Sequence, residues 1–309
     1  MNLYHRIHKS IPHRIIVAVI LALTLVVPAT YQLYAAQAAT TPRKTVLVFD
    51  IGGVLLRTNS SKLTRNIAKP LLGAAWISSI FNHRKDSQGV RIPIQGSKRM
   101  RAGYYQEVTA MLQDSAVQKT YDDQGALLPP LLAHWQLGRY TAANLQEIAN
   151  NYGKTNRSIA ARAAVQLVNA MIDPINFMAS VEPIESMIQF IRQAALAKDA
   201  HGNQLVTICL LSNWAKEAWD ILLQQEYHTF VKYAAVAVCS GETHIAKPEP
   251  GIYEALIARA VAAGIDMQNS TVIFIDDSKP NRDTGEQFGW QCFDPAELAT
   301  VRSMLQLPA

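Results

Sequence analysis

Short apolar runs, each closed by a polar cluster, punctuate this chain. Thr45-Val46-Leu47-Val48-Phe49 is made of β-formers and ends at Asp50; Leu205 to Leu211, Ala234 to Cys239 and Thr271 to Ile275 repeat the pattern, and Trp290 to Phe293 is a last, shorter one. Runs of this length, rich in β-branched and aromatic residues, predict buried strands. Helical periodicity fills most of the intervals. Strands alternating with helices predict an α/β fold, a Rossmann-like parallel sheet covered on both faces. In such sheets ligands bind beyond the carboxyl ends of the strands, which is where the polar clusters fall.

The spacing is uneven. Between Phe49 and Leu205 the pattern is almost entirely helical, with candidate helices near Lys62–Asn82, Lys98–Gln113, Ala126–Leu137, Ala142–Asn151, Ser158–Ile172 and Glu182–Lys198. Val181-Glu182-Pro183 suits a helix start, with proline in the first turn and an acidic residue against the dipole. That last helix feeds the second strand and belongs to the core. The expected organisation is therefore a core of residues 40–59 and 179–309 with a helical cap, residues 60–178, inserted above the sheet's carboxyl edge. Arg84 to Arg101 is basic and carries Gly and Pro, which predicts a solvated loop, or a cap loop that draws an anion into the cleft.

Residues 1–38 have a different pattern. Arg6, Lys9 and Arg14 precede an apolar run, Ile15 to Val27, broken only by Thr24; Ala36-Gln37-Ala38 then fits a small-residue cleavage site. The run is short for a membrane span and Pro28 interrupts it. The segment predicts an exported chain, periplasmic or secreted, with an uncleaved amino-terminal anchor as the alternative and no other membrane contact.

The chain has 29 Lys and Arg against 24 Asp and Glu; setting aside the three basic residues of the leader, which holds no acidic one, leaves 26 against 24. So balanced a charge argues against a nucleic-acid partner. The three cysteines, Cys209, Cys239 and Cys292, fall in apolar stretches and read as buried free thiols rather than a zinc site or a disulfide framework.

Each polar cluster has an ordinary reading and a chemical one. Asp50, followed by Gly52-Gly53, is a turn after a strand, or a carboxylate nucleophile that a substrate can approach closely. Ser212-Asn213 is a helix cap, or a hydroxyl and main-chain anion site. Lys247, ahead of Pro248-Glu249-Pro250, is a solvated lysine, or a compact positive charge for a phosphate or a carboxylate cluster. Asp276-Asp277 is an acidic helix start, or a pair whose repulsion Mg²⁺ relieves, with Asn281 fixing the loop.

Four such clusters in this order resemble the haloacid dehalogenase-like hydrolase superfamily. The resemblance covers about 40–57 and 180–296, while the insert matches only in position and helical character. It implies that Asp50 is the nucleophile, that Ser212 binds phosphate, and that Lys247 is the lysine of the third motif. It further implies a Mg²⁺ site made by Asp50, the Gly52 main-chain carbonyl and Asp277, with Asp276 as acidic neighbour. The implied activity is that of a phosphatase of a small phosphorylated metabolite, acting through an aspartyl-phosphate. One position departs from the pattern. Most phosphatases of the superfamily carry a second Asp two residues after the nucleophile, as general acid and base; here that residue is Gly52. Dehalogenase-type attack on carbon, and a weakly active or inactive binding protein, stay open as alternatives.

Overall fold

The computed structural model of the chain describes residues 44–59, 83–85, 91–93, 97–121, 126–224 and 229–307. The leader and the candidate helix Lys62–Asn82 lie outside the described residues. No helix among those described is long and apolar enough to cross a membrane.

Five strands form one sheet: β1 (Thr45–Phe49), β6 (Val206–Ser212), β7 (Ala234–Cys239), β8 (Thr271–Ile275) and β9 (Gln291–Phe293), in the order β7-β6-β1-β8-β9. All pairings are parallel. β1 is central: Phe49 pairs with Leu210 on one side and Ile275 on the other. Alternate residues of β1 feed two separate cores, as a strand covered on both faces requires. Leu47 and Phe49 pack with Phe190, Leu210 and Trp219. Val46 and Val48 pack with Tyr253, Leu256, Phe274 and Trp290. The covering helices are α6 (Glu185–Leu196), α7 (Lys216–Gln224), α9 (Pro250–Ala262), α10 (Lys279–Gln287) and α11 (Leu298–Met304), numbered among the described residues, and a single short turn, α8 (Ser240–Thr243), follows β7.

Between β1 and β6 the chain builds a helical layer: α1 (Ser97–Met111), α2 (Pro130–Gln136), α3 (Ala142–Thr155), α4 (Ile159–Met171) and α5 (Pro174–Ser180). It has its own apolar cluster around Tyr104, Val108, Leu131, Leu145 and Val168. Local chemistry sets its boundaries. Pro129-Pro130 holds α2 to a shorter span than the expected Ala126–Leu137, because proline is tolerated at the first helical position and not further in. Thr141 and Asn144 form a reciprocal cap on α3. Asp173 caps α5 by accepting from the Asn176 N–H.

Two expectations are corrected. Glu182-Pro183 does not open a helix: β5 (Val181–Pro183) pairs antiparallel with β2 (Leu56–Thr58), and α6 starts at Glu185. Proline fits this two-stranded ribbon because it closes the strand, where no ladder N–H is needed. Glu182 binds across the ribbon to Arg57 at 2.7 Å and to Asn59 at 2.6 Å. The basic stretch expected as a loop contains β3 (His83–Lys85) paired with β4 (Arg91–Pro93), and then the start of α1.

Candidate active site

Asp50 leaves the end of the central strand, and its own N–H still pairs with the Ile275 carbonyl at 3.0 Å. Ser212 ends β6 beside it, and Asp276 follows β8 on the other side. Parallel pairing in register thus delivers three side chains from distant segments to one edge of the sheet. Lys247 arrives from the turn before α9, through a cis peptide to Pro248.

The Asp50 carboxylate is held at one oxygen. Oδ1 accepts from the Ile51 N–H at 2.7 Å and the Ser212 hydroxyl at 2.7 Å, and it pairs with the Lys247 ammonium at 2.9 Å. Among the described residues no hydrogen bond reaches Oδ2. Lys247 also donates to Asp276 Oδ2 at 2.6 Å and to the Leu211 carbonyl at 2.9 Å, so its three donor positions are filled. Asp276 accepts further from the Ser278 N–H at 2.8 Å and from Asn281 at 3.0 and 3.1 Å. Arg282 donates to the Asp276 carbonyl, Tyr253 to the Asn281 carbonyl and Thr284 to the Pro248 carbonyl, which ties these loops together.

Burial drives the electrostatics. Asp50 is 7% exposed, Asp276 is fully enclosed and Lys247 is 1% exposed. Burial pushes the Asp50 carboxyl up from 3.8 to about 6; Asp276 adds to that rise, and Lys247 and Ser212 oppose it. For Lys247, burial acts downward, but attraction to Asp276 and Asp50 outweighs it and the ammonium is held above its ordinary value. Burial likewise pushes the Cys209 and Cys239 thiols up to about 12, as expected of inert core cysteines that are not paired.

Asp277 lies exposed at the mouth of the site. Asp50, Asp276 and Asp277 bring carboxylate oxygens within 4.8 Å of one another. An all-oxygen donor set of this kind suits a hard divalent cation such as Mg²⁺. Gly53 supports that fit. It has φ +77°, and a β-carbon there would stand 2.0 Å from Asp277 Oδ2, so only glycine leaves the carboxylate its place beside the loop.

The structure therefore brings together Asp50, Ser212, Lys247, Asp276, Asp277 and Asn281, with Gly52 in the loop after Asp50. The Asn213 side chain binds the backbone of the lysine segment. Its Oδ1 accepts from the Lys247 N–H at 2.7 Å and its Nδ2 donates to the Lys247 carbonyl at 2.9 Å. Tyr104 is buried in the helical layer, with its hydroxyl on Met171. Apolar neighbours on α1 at helical spacing are the signal that would have placed it inside. The His83 side chain lies outside the described residues.

The helical layer meets this edge of the sheet along one seam. Ser240 donates to the Gln136 carbonyl at 2.7 Å and accepts from the Trp214 N–H at 3.0 Å. His244 Nδ1 lies 2.8 Å from the Leu137 carbonyl. Glu217 accepts from the Ala142 N–H at 2.8 Å. Gly138, at φ +61°, approaches so closely that a β-carbon there would stand 2.2 Å from the Gly241 carbonyl oxygen.

A family model described as haloacid dehalogenase-like hydrolase matches residues 44–289. No curated protein matches the chain. Among solved structures it is similar to a HAD family enzyme from Bacteroides thetaiotaomicron, with 18% identity, 82% of this chain and 94% of the other covered, and a TM-score of 0.45. A predicted HAD-like family hydrolase from Porphyromonas gingivalis gives 16% identity, 85% and 98% coverage, and a TM-score of 0.49. An L-2-haloacid dehalogenase from Xanthobacter autotrophicus gives 14% identity, 80% and 75% coverage, and a TM-score of 0.39. With the match of the family model spanning four of the five sheet strands, the helical layer and all four polar clusters, the chain belongs to the haloacid dehalogenase-like hydrolases.

Proposed function

We propose that this hydrolase cleaves small phosphomonoesters with Mg²⁺, through an aspartyl-phosphate on Asp50. The carrying observation is the one-sided anchoring of Asp50: three donors hold Oδ1, which leaves Oδ2 for attack. In the first step Oδ2 forms a bond to phosphorus as the bond to the leaving alkoxide breaks, and the alkoxide takes a proton. Water then attacks the same phosphorus, releasing inorganic phosphate and restoring the Asp50 carboxylate. The Ser212 hydroxyl and the main-chain N–H groups after β6 orient the phosphoryl oxygens, and Lys247 offsets their charge. Asp50, Asp277 and the Gly52 carbonyl would hold the metal, with Asp276 orienting Lys247 and the loop. Bound Mg²⁺ supplies neutralisation between the carboxylates and the substrate's phosphoryl oxygens. Gly52 offers no proton, so the leaving group draws one from water or from the substrate itself.

Attack on carbon, as in a dehalogenase, would use Asp50 without a metal and would not call for the clustering of Asp50, Asp276 and Asp277. Export by the leader belongs to the same proposal. Its test is the amino terminus of the mature chain, expected just after Ala38.

An aryl phosphate assay decides between these readings. Turnover that requires Mg²⁺, stops with chelator and is lost in Asp50→Asn supports the phosphatase. Release of halide from a 2-haloacid in the presence of chelator overturns it. Silence towards both, from folded protein, leaves a binding role.

A further inference from the structure

We propose that Gln118, supplied by the helical layer, is a positioning residue that fixes where Lys247 stands between Asp50 and Asp276. The proposal rests on the phosphatase reading only for its kinetic readout. Gln118 lies in the segment between α1 and α2, far in sequence from the sheet. Its Nε2 donates to the Ala246 carbonyl at 2.8 Å, and its Oε1 accepts from the Ala246 N–H at 3.1 Å. Asn213 does the same to the next residue, pairing with both the N–H and the carbonyl of Lys247. Ala246 and Lys247 are thus each held at both N–H and carbonyl by a side-chain amide. One grip comes from the sheet's edge, the other from the helical layer.

Ala246 is fully enclosed, and its carbonyl has a second donor in the Glu249 N–H at 3.0 Å, so its N–H depends on Gln118. A buried N–H left alone drives its segment to move until water or another acceptor reaches it. Any such shift passes directly to Lys247, whose ammonium makes three contacts between 2.6 and 2.9 Å. Docking of the helical layer and placement of the ammonium are therefore one event.

The test is amide exchange on the full folded chain, read by mass spectrometry, together with aryl phosphate kinetics for Gln118→Leu and Gln118→Glu. Gln118→Leu should speed exchange of the Lys247 amide, which Gln118 does not itself touch, as well as that of Ala246. It should also lower kcat about tenfold or more with KM little changed. Gln118→Glu cannot donate to the carbonyl when ionised but can when protonated. Its kcat relative to wild type at the same pH should therefore climb as the pH is lowered through the carboxyl range. Should Gln118→Leu fail to fold, Gln118→Glu carries both readouts. Faster exchange confined to Ala246, with kcat unchanged, overturns the proposal. If wild type shows no Mg²⁺-dependent turnover, the phosphatase reading falls, and the exchange at Lys247 alone still decides the role of Gln118.

Discussion

Lys247 and Asp276 meet at 2.6 Å with 1% and 0% of their side chains exposed, an ion pair closed off from water. Such a pair adds little net stability compared with apolar residues, but removing one partner strands the other. Lys247→Met strands two carboxylates, Asp276 and Asp50. Its expected cost is about 3–5 kcal/mol, the range for breaking a buried pair, measured by urea unfolding at neutral pH. Asp276→Asn should cost less, because Lys247 keeps Asp50 and the Leu211 carbonyl. Equal losses in the two variants would contradict this account.

Asp50 carries a pH signature of the opposite kind from a surface carboxylate. Its folded value is raised from 3.8 to about 6, so between those limits the folded state binds more protons than the unfolded. Stability from this group falls as the pH rises through that window, and the full penalty remains above it. Lys247, held above its ordinary 10.5, contributes no slope there. The shift bounds the effect on the order of 3 kcal/mol. Asp50→Asn keeps an acceptor for the three donors and removes the charge. Without metal, its advantage over wild type in urea unfolding should therefore grow between about pH 4 and 6.5. Mg²⁺ should raise the melting temperature of wild type and not of the variant, and the rise should weaken below about pH 6 as protons compete for the carboxylate.

Much of this site was legible because strand ends in a parallel sheet are marked twice, by the apolar run and by the polar residue that stops it. Thr45–Phe49, Ala234–Cys239 and Thr271–Ile275 stand in the structure with the bounds the pattern gives. The convergence of Asp50, Ser212 and Asp276 follows from parallel register. The β2–β5 ribbon was not legible: three residues have no measurable period, and their pairing is decided by which segments the insert brings together. The second grip on the lysine segment was not legible either. Gln118 stands in an unpatterned loop, and its pairing with Ala246 spans 128 positions.

The two glycines after Asp50 should behave differently. A β-carbon on Gly53 meets Asp277 Oδ2 at 2.0 Å and sits at positive φ. Gly53→Ala should lose roughly 1–2 kcal/mol from the left-handed backbone. Displacement of Asp277 should weaken Mg²⁺ binding as well. A β-carbon on Gly52 meets nothing within 4 Å, and Gly52→Ala should leave both melting temperature and Mg²⁺ binding near wild type. Calorimetric titration with Mg²⁺ on both variants checks the contrast.

The same open space at Gly52 makes the missing general acid testable by restoration. Gly52→Asp places a carboxyl two residues from Asp50 without a steric clash at its β-carbon. Protonation matters most for a poor leaving group and least for a stabilised one, since a nitrophenolate departs unaided. The expected result is a rise in turnover of an alkyl phosphate, up to the 10²-fold or so at the lower end of general acid catalysis. Turnover of p-nitrophenyl phosphate should change little, so the ratio of the two rates is the diagnostic quantity. An equal change for both substrates would assign the effect to added charge beside the metal, and unchanged rates for both would mean that the native chain already delivers that proton by another route.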